Sequence, residues 1–275
     1  MLIVDSQVHV WPPDRPDRPL LRDGRENSPH RYETLLADMD RAGVDRAILV
    51  PPSIEGDRND YALEAVRRYP NRFRVMGKIP LQDPRSADLL PKWKEQQGMA
   101  GLRVIFNNAQ TIPWLTDGTV NWFWAAAEKA ALPVMFFAPG RTALLGPIAE
   151  KHAGLTLILD HMGVTASMVK EDKVEEAITA TVALAKYPNV SVKVSASPAI
   201  SRESYPFRDV AGHIKRVFDA YGPQRCYWGT DLTNSYAKAS YRQRISHFTE
   251  ELSFLSENDK DWVMGRAIVA RLNWT

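Results

Sequence analysis

Leu2-Ile3-Val4-Asp5-Ser6-Gln7-Val8-His9-Val10-Trp11 begins as a short apolar run and passes directly into polar residues at alternate positions. Side chains two apart on a strand share a face, so this pattern predicts Asp5, Gln7 and His9 on one side and Ser6 and Val8 on the other. A strand of this kind delivers polar groups from its carboxyl end into a pocket, as the strands of barrel enzymes do. Two histidines at this spacing would read as a metal-binding pair. Here the first position is Gln7, a neutral amide and a poor zinc ligand.

Short apolar runs recur along the chain, and strands are predicted at 2–4, 44–50, 73–79, 101–105, 133–137, 155–159, 190–194 and 226–228. Amphipathic helices are predicted between and after them at 32–41, 60–69, 87–96, 120–131, 174–187, 207–221 and 242–255. Alternation of strand and helix predicts a parallel α/β sheet, and eight repeats predict its closure into a (β/α)8 TIM barrel, one domain over residues 1–275. No Gly-x-Gly-x-x-Gly follows any of the strands, which argues against an open dinucleotide-binding sheet. The stretch 11–29 contains Pro12, Pro13, Pro16, Pro19 and Pro29, cannot be helical, and reads as a loop over the barrel mouth.

With 275 residues and 44% hydrophobic content the chain can bury one large core. Its 35 basic and 33 acidic residues nearly cancel, to +2, and no basic run is interleaved with aromatics, so a nucleic-acid partner is disfavoured. No apolar run approaches the roughly 20 residues that span a bilayer, and the start has no leader pattern. The expectation is a cytoplasmic protein with a small-molecule substrate and no membrane partner. The single cysteine, Cys226, excludes an internal disulfide and a cysteine-rich zinc site, and its apolar neighbours mark it as a core residue. Trp262 and Trp274 read as late exposed aromatics and leave a homodimer open.

Barrel active sites lie at the carboxyl ends of the strands, so the residues following each run are the candidates. The first strand offers Gln7 and His9, and the second is followed by Ser53, Arg58 and Asn59. Arg103 interrupts an apolar strand, where a cation needs an ion-pair partner or an anionic ligand. The fifth strand ends in Phe137 and supplies no ligating side chain, whereas the sixth ends in Asp160-His161. Lys193 on the seventh fits either a buried ion pair with a strand-end carboxylate or a substrate contact, and Arg202 follows that strand. The eighth ends Trp228-Gly229-Thr230-Asp231, a carboxylate suited to activating water.

Taken in order, Val4-Asp5-x-x-x-His9, Gly101-Leu102-Arg103, Leu132-Pro133-Val134, Leu159-Asp160-His161-Met162-Gly163, Lys193-Val194-Ser195 and Trp228-Gly229-Thr230-Asp231 resemble the amidohydrolase superfamily in its amidohydrolase-related (amidohydrolase 2) branch. In metal-using members the first strand carries His-x-His, the fifth a histidine and the eighth an aspartate. This chain departs at Gln7 and Phe137, which leaves His9 and Asp231 of that set, with His161 close by. The resemblance is closest in type to the metal-independent 2-pyrone-4,6-dicarboxylate lactonase-like hydrolases. It implies no cofactor, a divalent metal such as zinc being disfavoured by Gln7 and Phe137. It also implies hydrolysis of a small, carboxylate-bearing lactone, with Asp231 activating water and His9 and His161 polarising the carbonyl. Gln7, Ser53, Arg58, Asn59, Arg103, Lys193 and Arg202 would bind substrate. Two alternatives stand beside this reading: a metal-dependent decarboxylase or C–C/C–N hydrolase of the same superfamily, and a non-catalytic barrel that binds a small ligand.

Overall fold

In the computed structural model, which describes residues 1–22 and 24–274, the apolar runs form eight strands. They are β1 (Val4–Val8), β2 (Arg46–Leu49), β3 (Phe73–Gly77), β4 (Met99–Ile105), β5 (Val134–Phe137), β6 (Leu157–Leu159), β7 (Val190–Ser195) and β8 (Cys226–Gly229). Sequence neighbours are sheet neighbours, and every ladder is parallel. The seam between β8 and β1 is closed by individual bonds: the Asp231 N–H donates to Gln7 O at 2.9 Å. Alongside it, the Thr230 N–H and hydroxyl and the Tyr241 hydroxyl all donate to the buried Asp5 carboxylate, at 2.9, 2.5 and 2.7 Å. The sheet therefore closes as the expected (β/α)8 barrel.

The first strand departs from simple alternation. Asp5 lies opposite Ala47 and Val8 opposite Leu49, so three steps on β1 face two on β2, and the extra residue is a bulge. The bulge reverses the parity. Gln7 and His9 share a direction, but Asp5 turns away from them to Thr230 and Tyr241, contrary to the alternation read from the sequence.

Helices Tyr32–Ala42, Asp60–Arg68, Asn121–Lys129, Val174–Ala183 and Arg208–Tyr221 form the outer layer at the expected places. Three differences have local causes. Pro84–Glu95 is a run of 3-10 turns rather than an α-helix, and Pro91 within it has no N–H to donate. A short helix at Leu145–Lys151, with Gly146 and Pro147 inside it, carries too weak a pattern to read in advance. The predicted helix at 242–255 is Tyr241–Ser246 followed by a wider π-type turn, His247–Glu251.

Outward strand residues such as Leu49, Val104, Val134 and Val192 pack under the helices. Inward ones, including Val4, Ile48, Met76, Met135, Ile158 and Tyr227, fill the barrel and meet Ala267, Ile268 and Trp274 of the C-terminal segment. Trp274 is only 3% exposed, and the Arg46 and Arg74 guanidiniums lie 5.1 and 4.9 Å from its ring. Trp262 is partly buried beside Arg266. The exposure of Trp274 expected from the sequence is thus corrected, and with it the aromatic argument for a dimer. Cys226 is fully buried in the core. Among the described residues no helix is long and apolar enough to cross a membrane.

Of the proline-rich stretch 11–29, Asp23 lies outside the described residues, and the remainder contains no helix. It folds back on the loop after β2. Trp11 and Leu20 pack on Ile54, the Leu21 N–H donates to Ile54 O at 2.8 Å, and Arg18 pairs with Glu55 and Asp60.

Candidate active site

A cavity of about 320 Å³ opens at the carboxyl ends of the strands and is lined by His9, His161, Asp231, Arg103, Ser53 and Phe137, among others. Each comes from the end of a strand or the turn just beyond it, as the barrel geometry requires. Three of those turns hold non-glycine residues in the left-handed region: His161 (φ +52°) and Met162 (φ +56°) after β6, Ala196 (φ +63°) after β7 and Asp231 (φ +48°) after β8. Such conformations cost about 1–3 kcal/mol each and cluster where surrounding structure fixes a functional side chain.

His9 Nδ1 lies 2.7 Å from Val50 O. A carbonyl only accepts, so Nδ1 carries a proton, and Nε2 is the atom facing Asp231 Oδ1 at 3.1 Å. The other carboxylate oxygen, Oδ2, is 3.8 Å from His161 Nε2, and the Asn234 amide donates to Oδ1 and Oδ2 at 2.9 and 2.8 Å. Burial on its own would raise the Asp231 carboxyl. The His161 and His9 rings and the Asn234 amide outweigh it and hold the group far below the usual carboxylate range. His161 is shifted the other way from a cation's usual gain: burial lowers it despite Asp231 and Asp160, which favours the neutral imidazole.

Beneath these groups lies an ion network. Arg103 Nε donates to Asp160 Oδ2 at 2.9 Å, and Lys193 Nζ is 2.9 Å from Asp160 Oδ1 and 2.5 Å from Gln7 Oε1. Burial works to raise Asp160, but the Lys193 and Arg103 charges overcome it and the carboxyl is lowered. Lys193, fully buried, is pushed down to about 8 by desolvation, against the pull of Asp160.

The structure sorts the residues singled out from the sequence. His9, His161, Asp231, Arg103 and Ser53 converge on the cavity. Gln7 and Lys193 are fully buried and bonded to each other, and neither lines it. Three others, expected to bind substrate, do not line the cavity and are held elsewhere. Arg58 donates to Glu55 O and Pro19 O, at 3.1 and 2.6 Å, and holds the proline-rich stretch to the β2 loop. Asn59 exchanges bonds with the Lys78 backbone, at 2.9 and 2.8 Å. Arg202 reaches Val169 O and the Asp172 carboxylate, on a separate groove. Sequence reasoning did not find Arg25, Asn107, Thr165 or Asn234, which also line the cavity. Arg25 arrives from the proline-rich stretch, its guanidinium 5.4 Å from the Trp11 ring.

The donor set does not fit a catalytic metal. Gln7 Oε1 is taken by Lys193, and its amide nitrogen faces His9 Nε2 at 3.4 Å. At the end of β5, the Phe137 ring stands edge-to-face on His161, with centroids 5.7 Å apart. Although His9, His161 and Asp231 approach one another, among the described residues no three His, Cys, Asp or Glu side chains are placed to hold an ion.

Comparison with known proteins places this geometry in context. The chain is 29% identical over 213 residues to 4-sulfomuconolactone hydrolase of Hydrogenophaga intermedia, an alignment covering 74% of this chain and 65% of that protein. Its fold matches that of a probable 2-pyrone-4,6-dicarboxylic acid hydrolase from Acinetobacter baumannii, solved with citric acid bound (19% identity, 100% of both chains, TM-score 0.79). An amidohydrolase from Burkholderia multivorans, solved with bound zinc, is equally similar in fold (20% identity, 98% of both chains, TM-score 0.81). A family model described as amidohydrolase (Amidohydro_2) matches residues 4–268, nearly the whole barrel, and the chain belongs to that family.

Proposed function

We propose that this protein is a metal-independent hydrolase of a small lactone that carries an anionic group. The observation that carries this reading is Asp231, a carboxylate kept ionised at the cavity wall between two imidazoles. Lactone hydrolysis needs a base for water, a donor for the oxyanion and an acid for the leaving oxygen. Asp231 takes a proton from water as the water oxygen bonds to the carbonyl carbon. His161 donates to the developing oxyanion. When the ring C–O bond breaks, the proton on Asp231 passes to the leaving oxygen, which restores the carboxylate and yields an open-chain acid. His9 Nε2, 3.1 Å from Asp231 Oδ1, shares that proton between the two steps.

Arg103 supplies the cation for an anionic substituent, since a guanidinium matches carboxylate or sulfonate oxygens. The relative from Hydrogenophaga bears the name of a sulfonated lactone, which fits this chemistry. Metal independence rests on Gln7 and Phe137, which stand where metal-using members of the family place histidines. A chain with a single, buried cysteine suits the reducing cytoplasm, where we place it.

The test is a hydrolysis screen of anionic lactones, 4-sulfomuconolactone among them, on protein purified without added metal and assayed with and without EDTA. Activity should persist in the chelator, and Asp231→Asn should lower kcat by roughly 10²–10⁴-fold, the usual worth of a general base. Stoichiometric bound metal with activity lost in EDTA, or an Asp231→Asn variant within threefold of the parent, overturns the proposal.

A further inference from the structure

Ser195, the last residue of β7, is 1% exposed and does not line the cavity. Its hydroxyl lies 2.8 Å from His161 Nδ1, and among the described residues it has no other hydrogen-bond partner. A hydroxyl has one proton to donate, and a neutral imidazole has one N–H and one lone pair. Two arrangements are therefore open. In one, Ser195 O–H donates to Nδ1, and the imidazole proton sits on Nε2, on the side of the ring that faces Asp231. In the other, Nδ1–H donates to Ser195 Oγ. The serine proton then has no acceptor in a buried place, and the Nε2 lone pair faces the Asp231 carboxylate oxygen 3.8 Å away.

The second arrangement strands a buried donor. The first satisfies the serine and turns the Nε2 proton toward the carboxylate oxygen 3.8 Å away. We propose that Ser195 is a positioning residue that fixes His161 in its Nε2–H tautomer, making His161 a hydrogen-bond donor to the substrate carbonyl rather than a competing base. The backbone supports this division of roles. His161 is held at φ +52° by its turn, so ring position comes from the main chain while the proton's location comes from β7. The network adds a reason for the device. With Asp231 already the ionised group, a second acceptor at Nε2 would repel the oxyanion that forms beside it.

This inference rests on the hydrolase reading for its consequence, but its primary test needs no substrate. Protein labelled with ¹⁵N-histidine, with the His161 signals identified by their loss in His161→Asn, reports the tautomer directly. The expected result is an Nε2–H, Nδ1-acceptor pattern near pH 7.5 in the parent and in Ser195→Thr, which keeps a hydroxyl. In Ser195→Ala the pattern should shift toward a mixture of tautomers. An Nδ1–H pattern in the parent overturns the proposal whether or not any lactone is hydrolysed, and so does an unchanged Nε2–H signal in a folded Ser195→Ala. On 4-sulfomuconolactone or whichever lactone the screen identifies, Ser195→Ala should lower kcat about tenfold, part of the 10²–10³-fold worth of an oxyanion donor. KM should stay within about twofold, and Ser195→Thr should recover most of kcat. A loss confined to KM would assign Ser195 to substrate binding and count against the tautomer role.

Discussion

Arg103 divides its guanidinium between two tasks. Nε is committed to Asp160 at 2.9 Å, and the ring of Phe137 lies 5.3 Å from the guanidinium carbon. Among the described residues the terminal nitrogens have no protein acceptor, and the residue lines the cavity. The ion pair and the anion contact left open by the sequence are thus compatible, because they use different nitrogens. Lysine cannot copy this. An ammonium has one centre, and if it holds Asp160 it leaves the cavity without a fork. Arg103→Lys should therefore raise KM for an anionic lactone by roughly 10–100-fold, the equivalent of losing a hydrogen bond to a charged group, about 1.5–3 kcal/mol. A neutral lactone of the same ring should be affected less than threefold. Steady-state kinetics on the matched pair decide it, and an equal loss on both would show that Arg103 serves only the fold.

At the level of elements, all eight strands were legible, since an apolar run bounded by turn residues needs no partner to be recognised. The strand-end residues were legible for the same reason: where a buried strand stops, its next side chain enters the mouth, and His161 and Asp231 do so. The facing of Asp5 was not legible, because a bulge adds one residue without leaving a mark in the alternation. Nor were Arg58 and Arg202, whose directions are set by Pro19 and Asp172, 39 and 30 residues away. Arg25 reaches the cavity only because its loop folds back onto β2, a tertiary event. The couplings between strands are equally invisible in one dimension. Lys193 on β7 ties Gln7 on β1 to Asp160 after β6, with Met135 of β5 beside it, and all four are fully buried. Removing one member of a buried charge cluster leaves its partner short of compensation. Lys193→Met keeps the volume and deletes the charge, and it should cost about 3 kcal/mol in urea unfolding. A cost below about 1 kcal/mol would mean that Arg103 alone neutralises Asp160.

For the whole molecule, the buried histidines set how the barrel responds to acid. His247 lies between Phe207 and Phe248, with ring centroids 5.5 and 5.3 Å away, and is 1% exposed. Burial pushes it down to about 4, against the weaker pull of the nearby Pro206 carbonyl, Glu251 and Asp209. His161 and His30 are lowered too, chiefly by burial. An unfolded histidine titrates near 6.5. Between pH 6.5 and 4 the unfolded chain therefore takes up protons that the folded barrel refuses, so its stability falls as the pH falls. For His247 the difference between its folded and unfolded values corresponds to about 3 kcal/mol, present above pH 6.5 and lost by pH 4. Urea unfolding at a series of pH values should show this slope in the parent, and His247→Leu should flatten it, whatever that variant's stability at neutral pH. His161, at the cavity wall, is lowered in the same sense, so its share of the slope should remain in His247→Leu, and activity should fall only as the pH drops below the usual histidine range and the buried imidazole is protonated. A variant whose unfolding free energy tracks the parent's from pH 7 to pH 4 would show that His247 is not the group responsible.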